Sequence, residues 1–155
     1  MAKKHSKRNP WIRLAFLLYC ATMLWLLFHR DRQAVSQDYW GQVQNSLNLI
    51  PFHTVKLYMN LLEHSASEYY LRQAFINLAG NVLLFIPFGY FLPAIWQKMR
   101  RFLPFLLVSL GTICTVEICQ MLLLVGSCDV DDLILNMLGI TAGFLVYRIF
   151  RKKKE

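Results

Sequence analysis

The stretch SCDVDDLILNMLGITAGF, residues 127–144, places three carboxylates, Asp129, Asp131 and Asp132, at the start of an apolar run that also contains Asn136. The length and apolar character of the run predict a helix. The N-terminus of a helix has free N–H groups and a positive dipole end, so each acid there is favourable by roughly 0.3–1 kcal/mol. Capping therefore explains the three aspartates, with Asp129 as N-cap, but Asn136 lies too deep to cap anything.

The composition predicts that this helix crosses a membrane. Hydrophobic residues make up 56% of the chain and the mean hydropathy is +0.36, whereas soluble proteins are about 45–50% apolar. A spanning helix needs about 20 mostly apolar residues. Four runs meet this requirement: 11–28, 72–93, 102–125 and 130–148. The first follows basic residues as a signal peptide does, but it has no small-residue cleavage site and is interpreted as a helix.

The positive charge predicts the orientation. The net charge is +8, and 13 of the 17 Lys and Arg residues fall near the N-terminus, in the 94–101 loop or near the C-terminus. Cytoplasmic loops carry an excess of Lys and Arg, so both termini are expected in the cytoplasm, with basic tails over 1–10 and 149–155. Because the charge lies in blocks beside apolar runs, membrane lipids are the expected partners, and no nucleic-acid partner is expected.

The external segment, 29–68, is too long for a simple connector, and apolar residues recur at helical spacing after residue 54. This pattern predicts a short helix on the outer membrane surface. The whole chain, 1–155, is then a single all-α polytopic membrane domain with four transmembrane helices and one external interfacial helix. The four cysteines have neither disulfide nor metal-ligand spacing, and no metal or cofactor is expected.

Polar residues inside the spans predict the functional site. An ionisable residue at the centre of a span costs roughly 2.5–3.5 kcal/mol, so such residues usually face a protein interior or a wet cavity. Under the predicted orientation, polar side chains on three helices lie at one depth near the outer surface. We call these seven residues the polar cluster: Asn77, Asn81, Glu117, Gln120, Asp129, Asp132 and Asn136. Small faces at Gly80, and at Gly139 with Gly143, are expected to let the helices approach closely.

Glu117 and Asn136 allow two interpretations. They could form an interhelical hydrogen bond, or they could belong to a site open to a ligand, an ion or a proton. Interhelical hydrogen bonds in membranes contribute only about 0.6 kcal/mol, so the site is preferred.

Four motifs in order carry a resemblance to a known family: NLIPF at 48–52, NLAGNVLLFIPFGYFLP at 77–93, the Glu-x-x-Gln of 117–120 and DVDDLILNMLG at 129–139. Over about 48–148 the chain resembles the VanZ-like family of small membrane proteins, named for a teicoplanin-resistance accessory protein. The resemblance implies a bacterial cell-envelope location, mostly in Gram-positive organisms, and a link to low-level resistance to lipoglycopeptides.

Three functions remain open at this point. In the first, the polar cluster, roofed by NLIPF, binds a lipid-linked cell-wall precursor or a lipoglycopeptide such as teicoplanin. In the second, the protein is an intramembrane hydrolase or transferase, with Glu117 as general base and Asp129 and Asp132 holding a metal. In the third, it carries protons or cations through Glu117, since burial raises the pKa of a carboxyl group. The sequence does not indicate an oligomeric state.

Overall fold

A computed structural model describes residues 10–29, 38–63 and 68–152. Residues 1–9 and 153–155 of the predicted basic tails, and residues 30–37 and 64–67 of the external segment, therefore lie outside the described residues. The elements in chain order are α1 (Pro10–Phe28), α2 (Tyr39–Asn45), β1 (Leu47–Asn48), α3 (His53–Glu63), α4 (Glu68–Ile95), a 3-10 helix (Gln97–Arg100), α5 (Phe102–Leu122), β2 (Cys128–Asp129) and α6 (Val130–Lys152).

The prediction of an all-α membrane protein is confirmed. Four helical stretches are long and apolar enough to cross a membrane: Pro10–Phe28, Phe75–Ile95, Phe102–Leu122 and Val130–Lys152. Many large apolar side chains on these helices are exposed, among them Leu17, Leu83 and Leu107. Lipid rather than water is the natural solvent for such surfaces. The short helix predicted in the external segment is confirmed as α3.

A second short helix in the external segment, α2, was missed. Its N-cap is Asp38, whose Oδ1 accepts a hydrogen bond from the Gly41 N–H at 2.8 Å. The hydroxyl of Tyr39 donates to the Leu122 carbonyl at 2.7 Å, which attaches α2 to the end of α5. An aspartate three residues before a glycine is compatible with many turns, so this start signal is weak without the tertiary contact.

The closest helix packing is between α4 and α6, which run parallel. A Cβ added at Gly139 would collide with the backbone carbonyl of Val82, and one added at Gly143 would collide with that of Ile86. The prediction of a small face on α6 is therefore correct. The small face on α4 lies at Gly89, where a Cβ would meet the Ile140 carbonyl.

The corresponding prediction for Gly80 is wrong, because a Cβ at this position meets nothing within 4 Å. Gly80 lies on α4 but not at the contact with α6.

The buried core of the bundle is formed largely by α4, α5 and α6. Phe105 of α5 and Phe144 of α6 are almost fully buried, with ring centroids 4.4 Å apart. Helix α1 packs on the outside of this core. Its Tyr19 hydroxyl donates to the Leu84 carbonyl of α4 at 2.7 Å, and its Met23 is buried. The bundle therefore depends mainly on α4, α5 and α6, with α1 attached to α4.

We expect Gly143→Ala to lower the free energy of unfolding by about 1–3 kcal/mol, because the added methyl group forces the α4 and α6 backbones apart. The matched control is Gly80→Ala, which adds the same methyl group where there is open space and is expected to change stability by less than about 0.5 kcal/mol. Thermal or denaturant unfolding of the purified protein in detergent measures both changes. Equal effects of the two substitutions would contradict the packing described.

Candidate functional site

The candidate site lies where α5 ends and α6 begins. Helix α5 closes with the Val125 N–H donating to the Gln120 carbonyl at 3.0 Å and the Leu124 N–H donating to the Met121 carbonyl at 3.1 Å. This is the pattern of a Schellman motif, which places one residue in the left-handed region. That residue is Leu124, with φ of 53° and 1% exposure. Burial of its side chain favours a conformation that glycine would otherwise adopt more readily.

After this turn, strand β2 connects the bundle to the external segment. It pairs in parallel with β1, Leu47 opposite Cys128 and Asn48 opposite Asp129. The Cys128 N–H also donates to the Ser46 carbonyl at 2.9 Å. The NLIPF stretch is therefore hydrogen-bonded to the start of α6 although the two are about 80 residues apart in the chain.

Asp129 is the N-cap predicted for α6, and it also binds the external segment. Its Oδ1 accepts from the Asp131 N–H at 2.8 Å. Its Oδ2 accepts from the Thr54 hydroxyl and from the Asn48 amide, the latter at 3.1 Å. The carboxylate is 6% exposed. A carboxylate has about four acceptor positions, so three of them serve the fold here.

Asp131 lies in the first turn of α6 as predicted, but its carboxylate caps a different helix. Its oxygens accept from the backbone N–H groups of Phe52, Thr54 (2.9 Å) and Val55 (3.1 Å), which belong to the start of α3. The side chain is 2% exposed. The sequence pattern predicts that Asp131 caps its own helix. That prediction is corrected, because the free N–H groups of α3 are the ones that bind the charge.

Asp132 and Asn81 connect α6 to α4. The Asn81 amide donates to Oδ1 of Asp132, and both side chains are half-buried. The pair stands close to the end of the α4–α6 contact.

Glu117 and Asn136 connect α5 to α6 more deeply in the bundle. The Asn136 amide donates to the Glu117 carboxyl at 3.3 Å, and the two side chains are 2% and 4% exposed respectively. The interhelical hydrogen bond, one of the two interpretations left open, is thus present. Among the residues that the structure describes, the carbonyl oxygen of Asn136 has no hydrogen-bond partner. Leaving a buried acceptor unsatisfied costs about 1–3 kcal/mol, so this oxygen is a candidate acceptor for a ligand.

The other two members of the polar cluster connect to neighbouring elements. Gln120 donates to the Leu27 carbonyl at 3.0 Å, at the end of α1. Asn77 donates to the Tyr58 hydroxyl of α3 at 2.8 Å. The seven predicted residues thus lie at the same end of the bundle, but as separate interhelical contacts rather than as one continuous group.

Among the residues outside the predicted polar cluster, Asn48, Thr54 and Tyr58 also make side-chain hydrogen bonds at this end of the bundle. Asn48 belongs to the quoted NLIPF motif, but the sequence has no local signal that pairs it with Asp129. The same holds for Thr54, whose partner is 75 positions away.

The chemistry of this end is dominated by hydrogen-bonded carboxylates and amides. Within residues 10–29, 38–63 and 68–152, no three His, Cys, Asp or Glu side chains are grouped so that they could hold a metal ion. Cys128 lies close enough to Glu117 and Asp129 for their charges to affect the pKa of its thiol. Burial, followed by the charges of Glu117, Cys114 and Asp129, raises the pKa of its thiol.

Comparison with known proteins gives one family and one curated relative. The model of the VanZ/LLP1 family matches residues 16–151. The relative is Protein VanZ of Enterococcus faecium, which is 27% identical over 135 residues, covering 87% of this chain and 72% of the relative. No solved structure matches the chain.

We expect Asp131→Asn to loosen α3, because an asparagine has one acceptor oxygen and places an NH₂ group against backbone donors. Loss of a hydrogen bond to a buried charged group costs about 1–3 kcal/mol. Hydrogen exchange of the purified protein in detergent should show faster exchange at residues 52–56. Asp132→Asn is the control, since its partner is on α4, and exchange in α3 should be unchanged. Unchanged exchange at 52–56 in Asp131→Asn would contradict the cross-helix cap.

Proposed function

We propose a function from the premise that this chain belongs to the VanZ/LLP1 family and is a multi-pass membrane protein. The protein is associated with low-level teicoplanin resistance. Its polar cluster binds the polar head of an amphiphile in the cell envelope, either a lipid-linked wall precursor or the lipoglycopeptide itself.

The observation that carries this proposal is a pair of polar contacts between spanning helices at one end of the bundle, the half-buried contact of Asn81 with Asp132 and the buried contact of Asn136 with Glu117. Polar groups inside a membrane are rare and usually mark a pathway or a binding site. The carbonyl oxygen of Asn136 has no hydrogen-bond partner among the described residues, so it is available to accept a hydrogen bond from a ligand.

The contacts divide the acidic residues into two groups. Asp129 and Asp131 are occupied by the external segment and hold it in place. Asp132 is half-buried, and its Oδ1 accepts a hydrogen bond from the Asn81 amide. We therefore assign the direct ligand contacts to Asp132, Asn136 and Glu117, and a positioning role to Asp129.

The external segment supplies an apolar surface beside the polar end. Leu49, Ile50 and Phe52 of the NLIPF region are each more than half exposed. An amphiphile with an acyl chain matches this arrangement, since its tail can cover these side chains while its head reaches the carboxylates. A cationic or amide-rich head suits the carboxylates directly. A pyrophosphate head needs basic help, for which Lys56 and Arg72 are both exposed.

Expression of the protein in a susceptible Gram-positive host is expected to raise the minimum inhibitory concentration of teicoplanin. Vancomycin, which lacks the acyl tail, is expected to be affected less. Asp132→Asn and Glu117→Gln should each abolish the rise at equal protein levels in the membrane, because both replace a carboxyl group that the proposal places in contact with the ligand. Glu63→Gln is the matched control, an exposed acid of α3 outside the cluster, and should retain the rise.

If the host with the unaltered protein shows no rise, the resistance role is wrong. If Asp132→Asn and Glu117→Gln both retain the rise, the role stands but the cluster is not its binding site.

The binding end is proposed to face outward, with both termini in the cytoplasm. With Cys20, Cys114 and Cys119 replaced by Ala, a membrane-impermeant maleimide added to intact cells should label Cys128. A variant that also carries Cys128→Ala and Gln97→Cys should be labelled only after permeabilisation. Because its pKa is raised, Cys128 has less thiolate near neutral pH than an ordinary thiol, so its labelling should accelerate from about pH 7 to about pH 9. The reverse pattern of access would overturn the orientation.

A further inference from the structure

The opposite end of α6 contains a second polar site that the proposed function does not use. A cavity of about 230 Å³ lies between the 3-10 helix and the last turns of α6. One water takes up about 30 Å³ in the liquid, so the cavity has room for several waters or for a small anionic group. Its lining is one tyrosine and four basic residues: Tyr147, Arg100, Arg148, Arg151 and Lys152.

Several of these side chains are held in place by neighbouring groups. The Arg100 Nε donates to the Pro93 carbonyl at 3.3 Å, across the turn that follows α4. The Arg148 guanidinium lies 5.8 Å from the centre of the Phe144 ring. Tyr147 is 9% exposed and packs edge-on against Tyr90 at 6.0 Å. A cavity whose donors are already ordered loses less entropy when a ligand binds.

The sequence around the cavity is rich in basic residues, and the acidic residue nearest to them in the chain is Glu155. No Asp or Glu occurs between residues 69 and 116 or between 133 and 154, the stretches that include the 3-10 helix and the last turns of α6. Several like charges around one cavity repel each other, and a bound anion relieves that repulsion. Arginine forks match phosphate oxygens in bidentate geometry, and a tyrosine hydroxyl is a further donor.

The position of the cavity identifies the source of the anion. It lies at the end of a membrane-spanning helix, where Ile149 and Phe150 are both more than half exposed on the same helix. Phe102, also more than half exposed, has its ring centroid 5.9 Å from that of Phe144, the ring that the Arg148 guanidinium faces. Acyl chains can therefore lie against apolar side chains while a phosphate occupies the cavity. Basic pockets at the ends of spanning helices bind anionic head groups in this way.

We propose that this cavity binds the phosphate head group of an anionic membrane lipid, with preference for a lipid that carries two phosphates. The preference follows from the lining, which contains several basic side chains where one phosphodiester carries a single negative charge. The site is separate from the polar cluster, which lies at the other end of α6, and it does not depend on the proposed resistance role or on the orientation.

The test uses the full chain purified in neutral detergent, with native mass spectrometry and thermal stability as readouts. The probes are cardiolipin, phosphatidylglycerol, phosphatidylcholine and free inorganic pyrophosphate. We expect cardiolipin to bind more tightly than phosphatidylglycerol, phosphatidylcholine to give no shift in stability, and pyrophosphate, which lacks acyl chains, to bind far more weakly than cardiolipin. Equal binding of phosphatidylcholine, or full competition by pyrophosphate, would overturn the lipid assignment.

The test variant is Arg148→Gln with Lys152→Gln, which removes two charges from the cavity. A juxtamembrane charge near an anionic surface typically changes affinity by about fivefold, so the pair should weaken cardiolipin binding by roughly twentyfold. The matched control is Lys98→Gln with Arg101→Gln, which removes two exposed charges at the same interface that do not line the cavity. Equal weakening by both pairs would mean a general surface attraction and would overturn the site.

Two further variants separate binding from folding. Arg148→Lys keeps the charge and should retain most of the affinity. Tyr147→Phe removes only the hydroxyl and should weaken cardiolipin binding while the stability without lipid stays unchanged. If Tyr147→Phe and the double variant both bind cardiolipin as the unaltered chain does, the cavity is not the lipid site.

Discussion

The buried carboxylates at the start of α6 are the interaction on which the arrangement at this end of the molecule depends. Asp131 accepts three backbone N–H groups from the start of α3, and Asp129 binds Asn48 and Thr54 while capping its own helix. Hydrogen bonds to a charged acceptor are roughly twice as strong as neutral ones. Two side chains on one turn therefore fix the external segment on the membrane bundle, although no disulfide is present among the described cysteines.

The close contact of α4 with α6 sets the register of the polar pairs. Gly139 and Gly143 are one turn apart on α6, and the carbonyls that they approach, Val82 and Ile86, are one turn apart on α4. Gly89 of α4 in turn approaches the Ile140 carbonyl of α6, and Asn81 and Asp132 lie eight residues before these two positions, where their side chains meet. Without Cβ atoms at the glycines, the backbones approach closely enough for a short amide to reach a short carboxylate. Packing in the apolar part thus determines the geometry of the polar part.

The sequence was informative where the physical rule is local and uninformative where it is not. Apolar length identified the four spans, and the dipole rule identified Asp129 as a cap. The partner of Asp131 could not be predicted, because its three donors lie 76 to 79 positions away and nothing in the local pattern distinguishes capping of α3 from capping of α6. Gly80 was assigned to a helix contact by its residue type, yet the contact is made by Gly89 because the rotation of α4 about its axis depends on the whole interface.

Helix α6 has acidic residues at its N-terminus and basic residues at its C-terminus, which is the arrangement that the helix dipole favours. Its acids, Asp131 and Asp132, lie in the first turn, and its bases Arg151 and Lys152 lie in the last. Asp132 and Arg151 are separated by 19 residues of helix, roughly 28 Å at 1.5 Å per residue, and exposed charges more than about 10 Å apart are largely screened by the solution at each end. Each end therefore keeps its own electrostatic character across the thickness of the membrane. One helix can in this way present carboxylates to a head group on one side and guanidinium groups to a phosphate on the other, and neither site neutralises the other.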